Sequence, residues 1–314
     1  MKTHVQQSGY GLGSEIVLTL VGTASLDLDI LLAQVWQKIR LFEERFSRFQ
    51  PTSELSKVNQ IAGQWVEVSS EFLEVLTLAI SFSKSTEGRF NPLILPALQR
   101  AGYVGSWPNP VQSNTDLDYR QREIHAIDSI KIEGSRIQIP EASALDFGGC
   151  GKGILLDQLA DFLSGKTNNY WLSLGGDIIC CGVDMNDQEW SVGIARVGVQ
   201  GIIGSVKNEG GEKCAIATSG TTKRRGTQND TEWHHIINPV THAPAETVVC
   251  TATVCAPTAA AADVYAKCIV ISGLEYEKEI FEKKGITAAA VQYDGLDGII
   301  SVYSQGSQIK LQNE

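Results

Sequence analysis

The 314-residue chain is 43% hydrophobic and 20% charged, an ordinary globular composition long enough to bury a large core as one domain or two intimate lobes. A formal net charge of −10 leaves no basic excess for phosphates, which argues against a nucleic-acid-binding surface and makes any anionic small ligand depend on local help. No apolar stretch reaches the length of a membrane span, MKTHVQQSGYGLG lacks the features of a secretory signal, and the seven cysteines contain no C-x-x-C, so the expectation is a cytoplasmic protein with reduced thiols.

In chain order, residues 15–21 read as a strand with Ile16, Leu18 and Leu20 on one face. A helix over 28–47 follows, with Val35, Ile39, Phe42 and Phe46 as its apolar stripe and Pro51 as its stop. Thr52 to Asn59 is short and polar. Ser69 is placed to cap a second helix that turns Phe72, Val75, Leu76, Ala79 and Ile80 inward. GRFNP at 88–92 marks a turn, and 105–120 reads as a surface connection. SIKIEGSRIQIP at 129–140 has the alternation of a hairpin around Glu133-Gly134.

Residues 146–182 hold two glycine clusters, 148–153 and 175–176. The first runs into a helical pattern with Leu155, Leu159, Phe162 and Leu163 on one face; the second follows the apolar run 171–174 and precedes Asp177. Glycines at a loop-to-helix junction allow close approach of backbone amides to an anion, with Asp146 and Lys152 as the polar groups able to complete such a site; equally, they simply make tight turns. Adjacent Cys180 and Cys181 on a strand point to opposite faces. Further on, Trp190, Val192 and Ile194 alternate as a strand, Val206 to Cys214 reads as a loop at a strand pair, and Thr221 to Thr231 as a polar, mobile segment. Adjacent His234 and His235 face opposite sides of any strand, so at most one serves a given site.

Residues 258–272 form a buried helix carrying Asp263 and Lys267 one i, i+4 step apart. A carboxylate among small residues is costly to bury unpaired, which leaves an intrahelical ion pair or a hard-cation ligand as explanations. A strand, a DGLDG turn and another strand close the chain over 288–304. Strands and helices interleave without a regular βαβ period, which gives an α+β fold.

Taken together, Leu12-Gly13-Ser14, FSRFQPTSELSKVN at 46–59, GRFNP at 88–92, AGY at 101–103, DFGGCGKG at 146–153, SLGGDI at 173–178, ATSG at 217–220, HHIINPVT at 234–241 and APTAAAADVYAK at 256–267 resemble, in order and spacing, the ApbE family of FAD:protein FMN transferases. The resemblance implies a single catalytic unit over 1–314, a two-lobed α+β (T-fold-like) architecture with FAD in a cleft between the lobes, and Mg²⁺ on the FAD pyrophosphate. It also implies phosphoryl transfer: a Thr or Ser hydroxyl in a D-x-x-[ST]-G-[AS]-T motif of an acceptor protein attacks the FMN-side phosphorus, and AMP leaves. By the same resemblance Phe49, Ala101, Gly102, Tyr103, Asp146, Lys152 and Ile236 contact the cofactor, and Gly149 and Asp263 hold the metal. A proton-transfer or phosphate-contact role for His235 is a hypothesis of our own.

Three positions depart from the family pattern. Lys267 stands where the family usually has Thr, and a protonated lysine has no lone pair for Mg²⁺; it either supplies a fixed positive charge beside the pyrophosphate or marks an altered metal site. Asn91 and Asn238 stand where the family usually has Asp, removing carboxylates but keeping turn-forming capacity. Alternatives to a transferase are therefore an FAD-binding protein without turnover and an FAD pyrophosphatase releasing FMN and AMP.

Overall fold

The computed structural model describes residues 2–23, 26–106, 119–228, 230–273, 285–293, 300–304 and 309–311. The chain divides into two compact units. One comprises Met1–Arg40, Lys152–Gly220 and Val248–Glu314; the other comprises Leu41–Gly151 and Thr221–Thr247. Helices occur at α1 (Leu28–Phe46), α2 (Glu54–Gln60), α3 (Ser70–Ser85), α4 (Leu95–Ala101), α5 (Gly151–Leu163) and α6 (Ala259–Ser272).

The first unit is built on an eight-stranded sheet. Strands Lys2–Gly11, Ser14–Thr23, Asn169–Leu174, Asp177–Cys181, Cys214–Gly220, Val249–Ala256, Ala288–Tyr293 and Ile300–Ser304 lie side by side in chain order. Each is antiparallel to its neighbours. Ile16, Leu18 and Leu20 are fully buried, as their alternation predicts. Helix α6 lies against Cys214–Gly220 and Val249–Ala256. A separate apolar cluster joins Ile178, Ile216, Cys255, Ala288 and Ala290 of the large sheet to Val192, Ile194, Ile203 and Val206 of a three-stranded one. Trp190 precedes that strand, which spans Ser191–Ala195.

Packing of α5 on α6 depends on one glycine. A Cβ at Gly153 would stand 2.5 Å from the Ala259 carbonyl oxygen and 2.6 Å from the Ala260 Cα. Asp157, one turn further along α5, fixes the start of α6: its Oδ1 accepts from the Ala259 amide (2.8 Å) and its Oδ2 from the Ala260 amide (2.9 Å). Thr258 adds the N-cap, accepting from the Ala261 amide.

In the second unit, the C-terminal end of α1 meets α3 through aromatic rings. Phe46 packs on Phe72 and on Phe147, each with ring centroids 5.8 Å apart. Ser69 caps α3 as its sequence predicts, while Ile80 is only half buried. Lys131–Glu133 and Arg136–Gln138 form the expected hairpin, and the short strand Val66–Glu67 adds to it.

Two stretches differ from expectation. Thr52–Asn59 is not merely a polar link, because Ser53 Oγ accepts from the Ser56 amide and starts α2, whose Leu55 and Val58 are buried. Thr221–Thr231 is not simply a loose segment: Arg225–Gln228 pairs antiparallel with Thr231–His234, and Trp233 is buried. Lys2–Gly11, with its sparse apolar pattern, is a strand because Ser14–Thr23 supplies a ladder for it. Most of the 105–120 connection and the DGLDG turn lie outside the described residues.

Candidate functional site

Tyr103 is the hub of the second unit's site. Helix α4 ends at Ala101, and Gly102 adopts φ 117°, a left-handed cap in which the Gly102 amide donates to Gln99 and the Tyr103 amide to Leu98. That reversal buries the Tyr103 ring among Ala97, Leu98, Trp233 and Ile237. Trp233 stacks on it with centroids 6.0 Å apart, while Phe49 and His235 approach edge-on, each at 6.3 Å. Phe49, Tyr103 and His235, picked out from separate stretches of sequence, thus share one aromatic cluster.

Asp146 is held from several sides. Arg48 Nε lies 3.2 Å from Asp146 Oδ2, both side chains being 7% exposed. The Gly148 amide donates to Asp146 Oδ1 at 2.7 Å, and a Cβ at 148 would come within 2.8 Å of that oxygen. The approach to Asp146 is set by Asn59 of α2, whose side-chain amide donates to the Leu145 carbonyl (2.9 Å) and accepts from the Leu145 amide (2.7 Å). Arg122 Nη1 donates to the carbonyls of Asn59 and Ser143, tying the same turn from outside. Gly149, half buried, follows in the turn that leads into α5.

The adjacent histidines have separate tasks. His234 Nδ1 accepts from the Ile236 amide (3.3 Å) while Nε2 donates to the Ala245 carbonyl (3.2 Å), a pairing that selects the neutral tautomer. Burial pushes its pKa below the ordinary 6.5. His234 is therefore structural, and His235, set against Tyr103, is the one that belongs to the cluster. Ile236 beside it is buried.

The first unit carries the other candidates. Lys152, in the first turn of α5, makes an ion pair with buried Asp177, which begins the strand after the Gly175-Gly176 turn. Gly175 has φ 67°, and a Cβ there would meet Ser14 Oγ at 2.6 Å, so this turn runs close against the LGS segment. On α6, Lys267 Nζ pairs with Asp263 Oδ1 and donates to the Asp263 carbonyl at 3.3 Å. Asp263 is 1% exposed, and its Oδ2 has no hydrogen-bond partner among the described residues.

That buried, unpartnered oxygen is a fit for a hard cation, which prefers oxygen donors. No group of three or more His, Cys, Asp or Glu arranged for a metal occurs among the described residues. A dedicated protein cage is thus absent there, and the donor set suits Mg²⁺ held by one or two carboxylates together with substrate phosphates. Gly149 and Asp263 fall in different units.

The profile of the ApbE family matches residues 12–291. The chain belongs to the ApbE family. Among its curated relatives, the "FAD:protein FMN transferase" of Vibrio cholerae is 29% identical over 270 residues, 84% of this chain and 78% of that protein. The protein of the same name from Treponema pallidum is 29% identical over 266 residues, covering 78% and 72%. The solved structure of flavin transferase ApbE from Vibrio cholerae superposes with a TM-score of 0.78 at 26% identity, covering 98% of each chain. The ApbE protein from Thermotoga maritima gives a TM-score of 0.83 at 22% identity over 96% of this chain and 97% of that one, a likeness of fold.

Within this ApbE chain, Arg48, Asn59 and Trp233 position the site and are not among the residues singled out from sequence. Arg48 and Asn59 lie inside FSRFQPTSELSKVN, where only Phe49 attracts attention as an aromatic. Asn91 does work an aspartate could not: its Oδ1 accepts from the Leu93 amide while its Nδ2 donates to the His125 carbonyl. Asn238 keeps its turn by accepting from the Val240 amide.

Proposed function

We propose that this chain is an Mg²⁺-assisted FAD:protein FMN transferase acting on a Thr or Ser hydroxyl in a D-x-x-[ST]-G-[AS]-T acceptor motif. The observation that carries the reading is the family match over residues 12–291, with relatives from several organisms bearing that one activity name. In the reaction, the acceptor oxygen forms a bond to the FMN-side phosphorus, the bond from that phosphorus to the bridging oxygen breaks, and AMP leaves. His235 takes the hydroxyl proton.

Phe49, Ala101, Gly102, Tyr103, Asp146, Lys152 and Ile236 are assigned to FAD. Support comes from the ring cluster around Tyr103, which suits a flat heteroaromatic, and from the glycine-relieved turns, which let backbone approach a phosphate. Asp263, through its unpartnered oxygen, and Gly149, through its carbonyl, are assigned to the cation. Held by these groups, Mg²⁺ would supply charge neutralisation at the pyrophosphate. Lys267 contributes a second, fixed positive charge. Seven free cysteines suit a reducing compartment, and the reading places the reaction in the cytoplasm. No described helix is long and apolar enough to cross a membrane.

The test is incubation with FAD, Mg²⁺ and a domain bearing the acceptor motif, with and without EDTA, reading covalent flavin by in-gel fluorescence and AMP by chromatography. Flavin on the acceptor with matching AMP, both lost with EDTA, is the expected result. FMN and AMP released free would replace the transferase by a pyrophosphatase. The Lys267–Asp263 pair favours a second reading, an FAD-binding protein without turnover. Bound FAD with neither product under any divalent ion would establish it.

A further inference from the structure

Arg48 is surrounded by groups that use only part of its hydrogen-bonding capacity. Its Nε meets Asp146, and its Nη2 donates to the Tyr103 carbonyl at 3.1 Å. The guanidinium carbon lies 4.6 Å from the centroid of the Phe49 ring and 4.5 Å from that of Tyr103. Nη1 is buried and has no hydrogen-bond partner among the described residues, although the side chain is only 7% exposed. A guanidinium nitrogen desolvated to this degree normally finds an acceptor, so the position calls for one that arrives with a ligand.

The kind of acceptor follows from charge and shape. Asp146 already neutralises Arg48, and its own orientation is fixed by the Gly148 amide, so the pair offers the Nη1 N–H groups with little net charge. A phosphate is best held by unspent positive charge, and Arg48 is already paired with Asp146 through Nε while its Nη2 donates to the Tyr103 carbonyl. A neutral carbonyl oxygen on a flat ring system suits what remains, because two aromatic rings flank the donor.

We infer that Arg48 is a specificity-determining residue whose Nη1 donates to a ring carbonyl of the isoalloxazine, so that Arg48 reads the flavin end of the ligand while other residues meet the phosphates. The inference rests on the assignment of FAD to the Tyr103 cluster. Arg48 then has two roles: it keeps the Asp146 carboxylate in register, and it distinguishes a flavin from a nucleotide that shares only the adenosine diphosphate half.

The experiment measures binding of riboflavin, FAD and ADP to the wild-type chain and to Arg48→Met and Arg48→Lys, with thermal unfolding of each as a control for folding. Arg48→Met is expected to weaken riboflavin and FAD by about tenfold or more while leaving ADP within about twofold, since only the flavin ligands lose a directed bond to a charged donor. Arg48→Lys, which keeps charge without the fork, should fall between, and it carries the test if the methionine variant does not fold. Loss of FAD and ADP with riboflavin unchanged would overturn the inference in favour of a phosphate contact. Equal weakening of all three, or no change in any, would reduce Arg48 to a structural residue. If the wild-type chain binds neither riboflavin nor FAD, the transferase reading itself falls and the inference with it; flavin binding that ignores Arg48 overturns the inference alone.

Discussion

Lys267 occupies one oxygen of Asp263 and leaves the other buried without a donor. An ordinary i, i+4 pair at a helix surface contributes a few tenths of a kcal/mol, but here the carboxylate is buried. One side chain thus satisfies half of the carboxylate and lowers the negative charge that a divalent cation would meet. Lys267→Thr should lower the Mg²⁺ concentration for half-maximal flavin transfer by about three- to tenfold, because a competing cation has been removed. Asp263→Asn should reduce transfer by about a hundredfold or more, beyond the usual effect of disturbing a metal ligand's supporting group. An unchanged Mg²⁺ titration in the threonine variant would show that Lys267 does not compete for the site.

The contact between α5 and α6 should be intolerant of a single methyl group. Because a Cβ at 153 would lie 2.5–2.7 Å from backbone atoms of Ala259 and Ala260, Gly153→Ala cannot be accommodated by a side-chain rotation. The helices must separate, at a cost of about 1–3 kcal/mol or more. A urea midpoint equal to that of the wild-type chain would contradict the close approach.

Asp157 should matter through the start of α6 rather than through chemistry. Burial pushes its carboxyl above the usual range, yet both oxygens accept backbone amides at the helix end that carries positive partial charge. Asp157→Ala should cost about 1–2 kcal/mol of stability, and Asp157→Asn less, since one acceptor survives. Chemical denaturation of both variants tests the ranking; an asparagine variant as unstable as the alanine would mean the charge outweighs the bonds.

His234 should make the fold sensitive to mild acid. Burial lowers its pKa in the folded chain below 6.5, while the unfolded chain protonates at the ordinary value. The unfolded state therefore binds more protons in the interval between the two values, and stability rises with pH there. The contribution is fully present above 6.5 and is lost as pH falls through the lower, folded value. Urea midpoints from pH 7.5 to 5.5 should decline for the wild-type chain and decline less for His234→Gln. Parallel declines would assign the effect to other groups.

Much of this protein was legible in its sequence wherever one segment's own periodicity or capping chemistry decides the outcome. Val35, Ile39, Phe42 and Phe46 fall on one helical face, Ile16, Leu18 and Leu20 on one strand face, and Ser69 and Thr258 cap the helices they precede. The resemblance to the ApbE motifs also pointed to Tyr103, Asp146, His235 and Asp263, each of which lies in a structured, partly or fully buried setting. Partnership was not legible. Whether Lys152 meets Asp177, whether Asn59 faces solvent or grips Leu145, and whether Arg48 serves Asp146 are settled by segments far apart in the chain. The same holds for Lys2–Gly11 and Thr231–His234, whose weak local patterns become strands only because a neighbour offers hydrogen bonds. Local sequence fixes which faces are apolar and where helices begin; only folding brings together the distant donors, carboxylates and rings whose mutual satisfaction creates the candidate site.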